Sequence, residues 1–439
     1  MQIAKYPDKQ QLAQLLRRPE INREDLDATV SEVLQKVKTG GDAALREYTA
    51  RFDRVTLESF EVTAAEMEEA ARLVPEKLQS AIRLAAKNIE KFHAAQQENF
   101  TPIETMPGVT CWRKSVPIER VGLYIPGGTA PLFSTVLMLA IPAQIAGCQE
   151  IVLCTPPGEN GKVNPAILFA AQVAGVTKIF KAGGAQAIAA LAYGTESIPQ
   201  VSKIFGPGNR YVTAAKMLVQ KDGIAIDMPA GPSEVLVFAD ETCVPAFVAS
   251  DLLSQAEHDT DSQVVFLTTS ETVLEAVKKE VDEQVQQLPR QKMLRAALSH
   301  SVAVLLENEA IALEAINQYA PEHLILACEN AEVMASKVVN AGSVFLGNFT
   351  PESAGDYASG TNHTLPTSGF ARSYSGVSLD SFLKKITFQR ISREGLQGIG
   401  PAIVTMAEAE ELPAHARAVE LRLKPHEAIE AVRGGLEHG

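Results

Sequence analysis

From residue 121 to residue 220 the chain switches repeatedly between a short apolar run and a longer helical pattern, and three of the switches carry glycine pairs. Val121–Ile125 reads as a strand, followed by Pro126-Gly127-Gly128 and an apolar helix over 131–146. Ile151–Cys154 reads as a strand before a helix over 164–174. Lys178–Lys181 leads through Gly183-Gly184 into a helix over 185–193. Lys203–Phe205 leads through Gly206-Pro207-Gly208-Asn209 into a helix over 210–220. Strands joined through helices pair in parallel and need helices on both faces, so this stretch can only build an α/β sheet.

The alternation resumes with a strand at Glu234–Phe238, a helix over 245–258, a strand at Gln263–Leu267 and a helix over 271–286. Further strands are expected at Val302–Leu306, His323–Ala327 and Ser343–Leu346. That is a second α/β unit. Ahead of both, 22–52 and 63–99 read as helices: Leu26, Val30, Val33, Leu34 and Val37 recur at helical spacing until Gly40-Gly41 interrupts them. The stretch 347–376 is rich in Gly, Ser, Thr and Pro and reads as a long loop, which in a compact protein is usually functional or disordered. Beyond residue 380 a small tail is expected, with a strand at Ile386–Ile391 and helices near 393–422.

The totals exclude some functions. A net charge of −13 without a long basic run argues against nucleic acid or an anionic membrane surface as a partner. No stretch is long and apolar enough to span a bilayer, and the first residues lack the apolar core of a signal peptide. The five cysteines, Cys111, Cys148, Cys154, Cys243 and Cys328, are odd in number and widely spaced, as in a reducing compartment. The cytoplasm is therefore the expected location.

Three glycine turns at the carboxyl ends of one parallel sheet converge where such sheets bind ligands, and the helix N-termini there favour an anionic group such as pyrophosphate. The plain alternative is tight turns that need glycine for backbone reasons. None is a GxGxxG or Walker A sequence, so spacing does not name a nucleotide.

Elsewhere the candidates are side chains. On a helix, Gln255 and His258 are three apart and share a face, as two ligands of one metal or polar group would. Glu322 and His323 set a carboxylate beside an imidazole, fit for acid–base work, yet neighbours in a strand point to opposite faces. The pair also precedes its strand, whereas α/β sites usually follow theirs. Asp356 lies in the Gly/Ser-rich stretch, and His363 in the same stretch is an equally good ligand by position. His415, on a tail helix five residues after Glu410, reads locally as an exposed helix histidine. A cysteine nucleophile acting through a thiohemiacetal is chemically possible, but nothing in the sequence marks a low-pKa thiol.

Several stretches together resemble the histidinol dehydrogenase family. They are VGLYIPGGTAPLFSTVLMLAIPAQIAGC (121–148), GGAQAIAALAYGTES (183–197), KIFGPGN (203–209), IDMPAGPSEVLV (226–237), SDLLSQAEHDTDSQV (250–264), PEHLI (321–325) and GSVFLGNFTPESAGDYASGTNHTLPT (342–367). The resemblance spans nearly the whole chain and is weakest at its two ends. It implies two Rossmann-like parallel-sheet domains, a small N-terminal helical segment and a C-terminal tail domain exchanged in a homodimer. The expected boundaries are 1–20 for the N-terminal segment, 21–123 with 235–377 for the first domain, 124–234 for the second and 378–439 for the tail.

The resemblance also implies NAD-dependent oxidation of L-histidinol to L-histidine through a bound aldehyde, with one zinc ion per subunit. Zinc would be held by Gln255, His258, Asp356 and His415, the last supplied by the other subunit. Glu322 and His323 match the acid–base pair. Tyr124, Gln186 and Asn209 match NAD-binding positions, and Ser233 and Glu410 match substrate-binding ones. The family does not use His363 as a ligand. The residues alone leave rivals: a zinc hydrolase with Glu322 as base, a non-catalytic binding protein on an enzyme fold, and a cysteine-dependent aldehyde dehydrogenase.

Overall fold

The computed structural model describes residues 1–18, 24–127 and 131–424. Gly128 of the first glycine turn, positions 22 and 23 of the first expected helix and the final fifteen residues, 425–439, lie outside the described residues. The chain divides into two compact units: residues 1–97 with 117–382, and residues 98–116 with 383–439.

In the first unit, β1 (Gln2–Lys5) and α1 (Lys9–Leu15) come first, followed by α2 (Glu24–Tyr48), α3 (Ala64–Leu73) and α4 (Glu76–Ala94). Helix α2 runs through Gly40-Gly41 with a kink at Gly41, whose φ of 50° only glycine takes readily. Pro75 separates α3 from α4, so the expected helix over 63–99 is two. In the second unit, β2 (Ile103–Met106) and β3 (Val109–Pro117) form an antiparallel hairpin.

The first unit then continues with β4 (Arg120–Tyr124), α5 (Phe133–Ala146), β5 (Glu150–Thr155), α6 (Pro165–Val173), β6 (Lys178–Lys181), α7 (Gly184–Tyr193), β7 (Lys203–Phe205), α8 (Arg210–Val219) and β8 (Ala225–Ile226). These strands pair in parallel in the order β6-β5-β4-β7-β8. One face is covered by α3, α4, α5 and α6, the other by α2, α7 and α8. The strands are near-continuous apolar runs because both faces are dry.

A second parallel sheet follows: β9 (Glu234–Ala239), α9 (Pro245–Ala256), β10 (Gln263–Thr268), α10 (Glu271–Gln287), α11 (Gln291–Ser299), β11 (Val302–Leu305), α12 (Glu309–Tyr319), β12 (His323–Ala327), α13 (Ala331–Ala335) and β13 (Ser343–Leu346). Its strand order is β1-β11-β10-β9-β12-β13. Helices α9 to α11 cover one face, and α1, α12 and α13 the other. The two parallel sheets confirm the expected α/β class. Packing places α2 to α4 on the sheet of β4 to β8, although the expected boundaries joined 21–123 to 235–377. The very first residues, by contrast, join the other sheet through β1.

The stretch 347–376 is not structureless. It contains α14 (Glu352–Tyr357) and a 3₁₀ turn at Phe370–Arg372. In the second unit, β14 (Leu383–Ile391) joins the sheet in the order β14-β3-β2, and Trp112 stacks on Phe388 with ring centres 5.5 Å apart. Helices α15 (Arg393–Ala409) and α16 (Pro413–Leu423) pack on each other and complete the tail. Among the described residues no helix is long and apolar enough to cross a membrane.

Candidate active site

A dense polar cluster lies at the amino ends of β9 and β12. Helix α12 ends at Ala320 with a left-handed φ of 54°, and the chain turns at once through Pro321 and Glu322 into β12. The amide of Gly342 donates to Pro321 O at 2.9 Å, and that of Ser343 to Glu322 O at 2.9 Å. A Cβ on Gly342 would meet Glu322 O at 2.5 Å, so glycine is needed for the close approach. The turn removes the objection from strand alternation: Glu322 Oε2 lies 3.7 Å from His323 Nδ1 instead of across the sheet. The same oxygen accepts from the amide of Glu234, the first residue of β9, at 2.9 Å. Glu234 is in turn gripped by Arg18 through two hydrogen bonds of 2.6 and 2.7 Å. Removing Arg18 would strand a buried carboxylate, at a cost of about 2–3 kcal/mol, since Arg18 keeps some solvent contact.

Gln255 is buried in the last turn of α9. The helix stops at Ala256, so His258 is not on it as expected. A turn carries His258 back, with its amide donating to Gln255 O at 3.3 Å. The two side chains therefore share a turn rather than a helix face. Asp356 comes from α14, and its Oδ1 is 3.5 Å from His323 Nε2. One helical turn earlier, Glu352 places Oε1 4.0 Å from His323 Nδ1. The Gln255 amide is satisfied with its nitrogen toward Glu352, donating at 2.6 and 3.2 Å, with His323 Nδ1 also 3.2 Å away. His258, Glu352 and Asp356 each offer a ligand atom, and these atoms lie within 4.8 Å of one another. The donor set of imidazole, carboxylate and amide suits zinc.

Sequence reading missed Glu352. The available signal was its spacing: four residues before Asp356, it shares a face with Asp356 once 352–357 is helical. Reading the stretch as a loop concealed this.

Burial pushes the Glu322 carboxyl up to about 8, against the pull of His323 and the Glu234 amide. Burial alone would depress His323, but the carboxylates of Glu352, Glu322 and Asp356 outweigh it and hold the imidazole well above its ordinary value. Burial would raise Asp356, yet its hydrogen bond to His323 and the nearby imidazoles hold it low. Both shifts favour the protonated form, Glu322 through burial and His323 through its acidic neighbours.

His363, the rival ligand by position, has both nitrogens engaged. Nε2 is 2.9 Å from Thr135 Oγ1, and Nδ1 is 2.8 Å from Asp356 O. It ties the start of α5 to the backbone of Asp356.

The glycine turns lie at the carboxyl ends of the other sheet. Tyr124 ends β4, and its hydroxyl accepts from the Gly184 amide at 3.1 Å. Gln186, in the first turn of α7, is buried with its amide nitrogen 3.5 Å from Asp53. Burial pushes Asp53 up to about 6. Asn209 caps α8, accepting from the amides of Tyr211 and Val212 at 3.0 and 3.1 Å. Gly206 has φ +126°, and a Cβ there would lie 2.0 Å from Tyr124 O, so the third turn requires glycine to pack on the first.

Ser233 immediately precedes β9, and its carbonyl accepts from the Gln263 amide at 3.2 Å. Glu410 and His415 belong to the second unit, where both are exposed, Glu410 at the end of α15 and His415 in α16. The cysteine reading does not survive at Cys148: the thiol is buried, and burial pushes it up to about 11.

A family model described as histidinol dehydrogenase matches residues 16–423. A histidinol dehydrogenase of Bacteroides thetaiotaomicron is 61% identical over 96% of this chain and 99% of its own length. A histidinol dehydrogenase of Arabidopsis thaliana named as chloroplastic is 53% identical over 95% of this chain and 90% of its own. The crystal structure of a histidinol dehydrogenase from Elizabethkingia anophelis superposes with a TM-score of 0.94 at 57% identity, covering 96% of this chain and 98% of that one.

Proposed function

Because the chain belongs to the histidinol dehydrogenase family, oxidoreductases of histidine biosynthesis, we propose that it oxidises L-histidinol to L-histidine with two NAD through a bound L-histidinaldehyde. One observation carries this reading beyond the family. Glu322, His323 and Asp356, from two distant segments, converge within 3.7 Å for each contact with His323, beside Gln255 and His258. The zinc hydrolase alternative finds no support in the matches.

Gln255, His258 and Asp356 would hold zinc together with His415 of the partner subunit. When bound, zinc supplies a fixed positive charge that orients the substrate. His323 takes the proton of the alcohol while hydride leaves the same carbon for NAD, giving the aldehyde and NADH. Glu322 then takes a proton from the water that adds to the aldehyde, while His323 returns its proton to the carbonyl oxygen, giving the gem-diol. His323, neutral again, takes one hydroxyl proton as a second hydride passes to a second NAD, leaving the carboxylic acid, which loses its remaining proton to solvent. Ser233 and the partner's Glu410 would bind the substrate. Tyr124, Gln186 and Asn209 would bind NAD, with pyrophosphate favoured at the start of α7 or α8. The cytoplasm fits the five free cysteines.

The test is histidinol-dependent NADH formation before and after chelation, with zinc then restored. Loss on chelation and recovery with zinc are expected. Unchanged activity in demonstrably metal-free protein would contradict the zinc assignment. The shared ligand has its own check. Mixed dimers of His258→Ala and His415→Ala contain one intact ligand set of two, so about half the wild-type activity per mixed dimer should return. No recovery in a verified mixed dimer would place His415 elsewhere.

A further inference from the structure

Glu352 is among the most buried carboxylates of the molecule, at 1% exposure, and no step above uses it. The Gln255 amide branch that faces it lies against both Glu352 oxygens, at 2.6 and 3.2 Å, with His323 Nδ1 3.2 Å away. An amide oxygen placed there would face the lone pairs of the Glu352 carboxyl, so the nitrogen takes that position. The oxygen, on the opposite branch of the same carbon, is then turned away from Glu352. We propose that Glu352 is the positioning residue that fixes the Gln255 amide with its oxygen free to ligate. This rests on the zinc reading above. An amide nitrogen offers a metal no usable lone pair, so a wrongly turned Gln255 is no ligand at all. Partners that orient a metal ligand commonly change metal affinity by about 10- to 100-fold. The contact also sets Gln255 beside the His323 ring, so one carboxylate orders residues serving both zinc and the proton transfers.

The alternative is that Glu352 binds the metal itself, since its oxygen lies in the same ligand group as those of His258 and Asp356. A double-mutant cycle separates the two. The full-length protein is stripped of metal, and zinc is titrated against a competing chelator for wild type, Glu352→Gln, Gln255→Ala and the double variant. Glutamine at 352 presents one donor and one acceptor, and so tolerates either orientation of Gln255. Glu352→Gln should weaken zinc by about 10- to 100-fold in the wild-type background and by less than about threefold beside Gln255→Ala. Unchanged affinity in Glu352→Gln, or losses that multiply in the double variant, would overturn the proposal. Thermal unfolding of the metal-free variants checks that they fold. If Glu352→Gln does not, Glu352→Asp, which withdraws the carboxylate by one methylene, replaces it in the cycle with the same criterion. Failure of the wild type to bind zinc would overturn the zinc reading itself, a result distinct from either of these.

Discussion

The two parallel sheets present opposite ends to chemistry. On the sheet of β4 to β8 the carboxyl ends carry backbone: Gly206 packed on Tyr124, the Gly184 amide on the Tyr124 hydroxyl, and an asparagine cap. On the sheet of β9 to β13 the amino ends carry buried charge: Glu322, His323 and Glu352, each less than 7% exposed. Backbone turns can cradle a cofactor that many enzymes use, because they recognise phosphate and shape. Proton transfer needs titratable groups in controlled protonation states, and burial among mutual partners provides that control. The difference teaches that the usual rule for α/β sheets points to the proposed NAD surface. The proposed catalytic groups sit where a strand entrance is irregular enough to bring adjacent side chains together.

If that division holds, substitutions at the two ends should fail differently. His323→Asn should lower kcat for histidinol oxidation by about 10²- to 10⁴-fold with the KM for NAD little changed. An equal loss in NAD affinity would blur the two regions into one. Glu322→Gln should slow oxidation of added histidinaldehyde by about 100-fold, and alcohol oxidation much less. Equal slowing would remove the water-activating role. Both bases act only when deprotonated, and both are held protonated in the fold, so the rate should rise with pH. The rising limb should steepen toward tenfold per pH unit and lie above the ordinary ranges of Glu and His. A rate that falls from about pH 7 to about pH 9 would contradict that sign. At the other end, Tyr124→Phe removes only the acceptor of the Gly184 amide. It should raise the KM for NAD by about three- to tenfold and leave single-turnover chemistry intact.

How much of this was legible in the sequence depended on how local each feature is. The alternation that builds both sheets is local, and each strand and helix it predicts between 120 and 346 forms close to where its periodicity puts it, while β8, α11, α12 and α13 are additions it does not predict. The three glycine turns were equally legible, since a strand, a glycine and a helix start are neighbours in the chain. The cluster at β12 was not. That Glu322 turns toward His323 depends on Gly342 and on the Glu234 amide, 88 residues away. That both nitrogens of His363 are engaged depends on Thr135, 228 residues away. Gln255 and His258 were paired for a reason the fold replaces, because a turn does what the helix was expected to do. Asp356 and His415 entered through family resemblance rather than spacing, and Glu352 was hidden inside a stretch that reads as loop. β1 and β2, four residues each, offered too few residues for a period to show.

The account turns on where the reaction centre lies. The most direct measurement is anomalous diffraction at the zinc edge from crystals of the zinc-loaded protein. The account predicts a single strong peak per subunit in contact with Gln255, His258 and Asp356, beside the entrance to β12. A peak at the glycine turns of the other sheet, or one that none of these three residues touches, would contradict it.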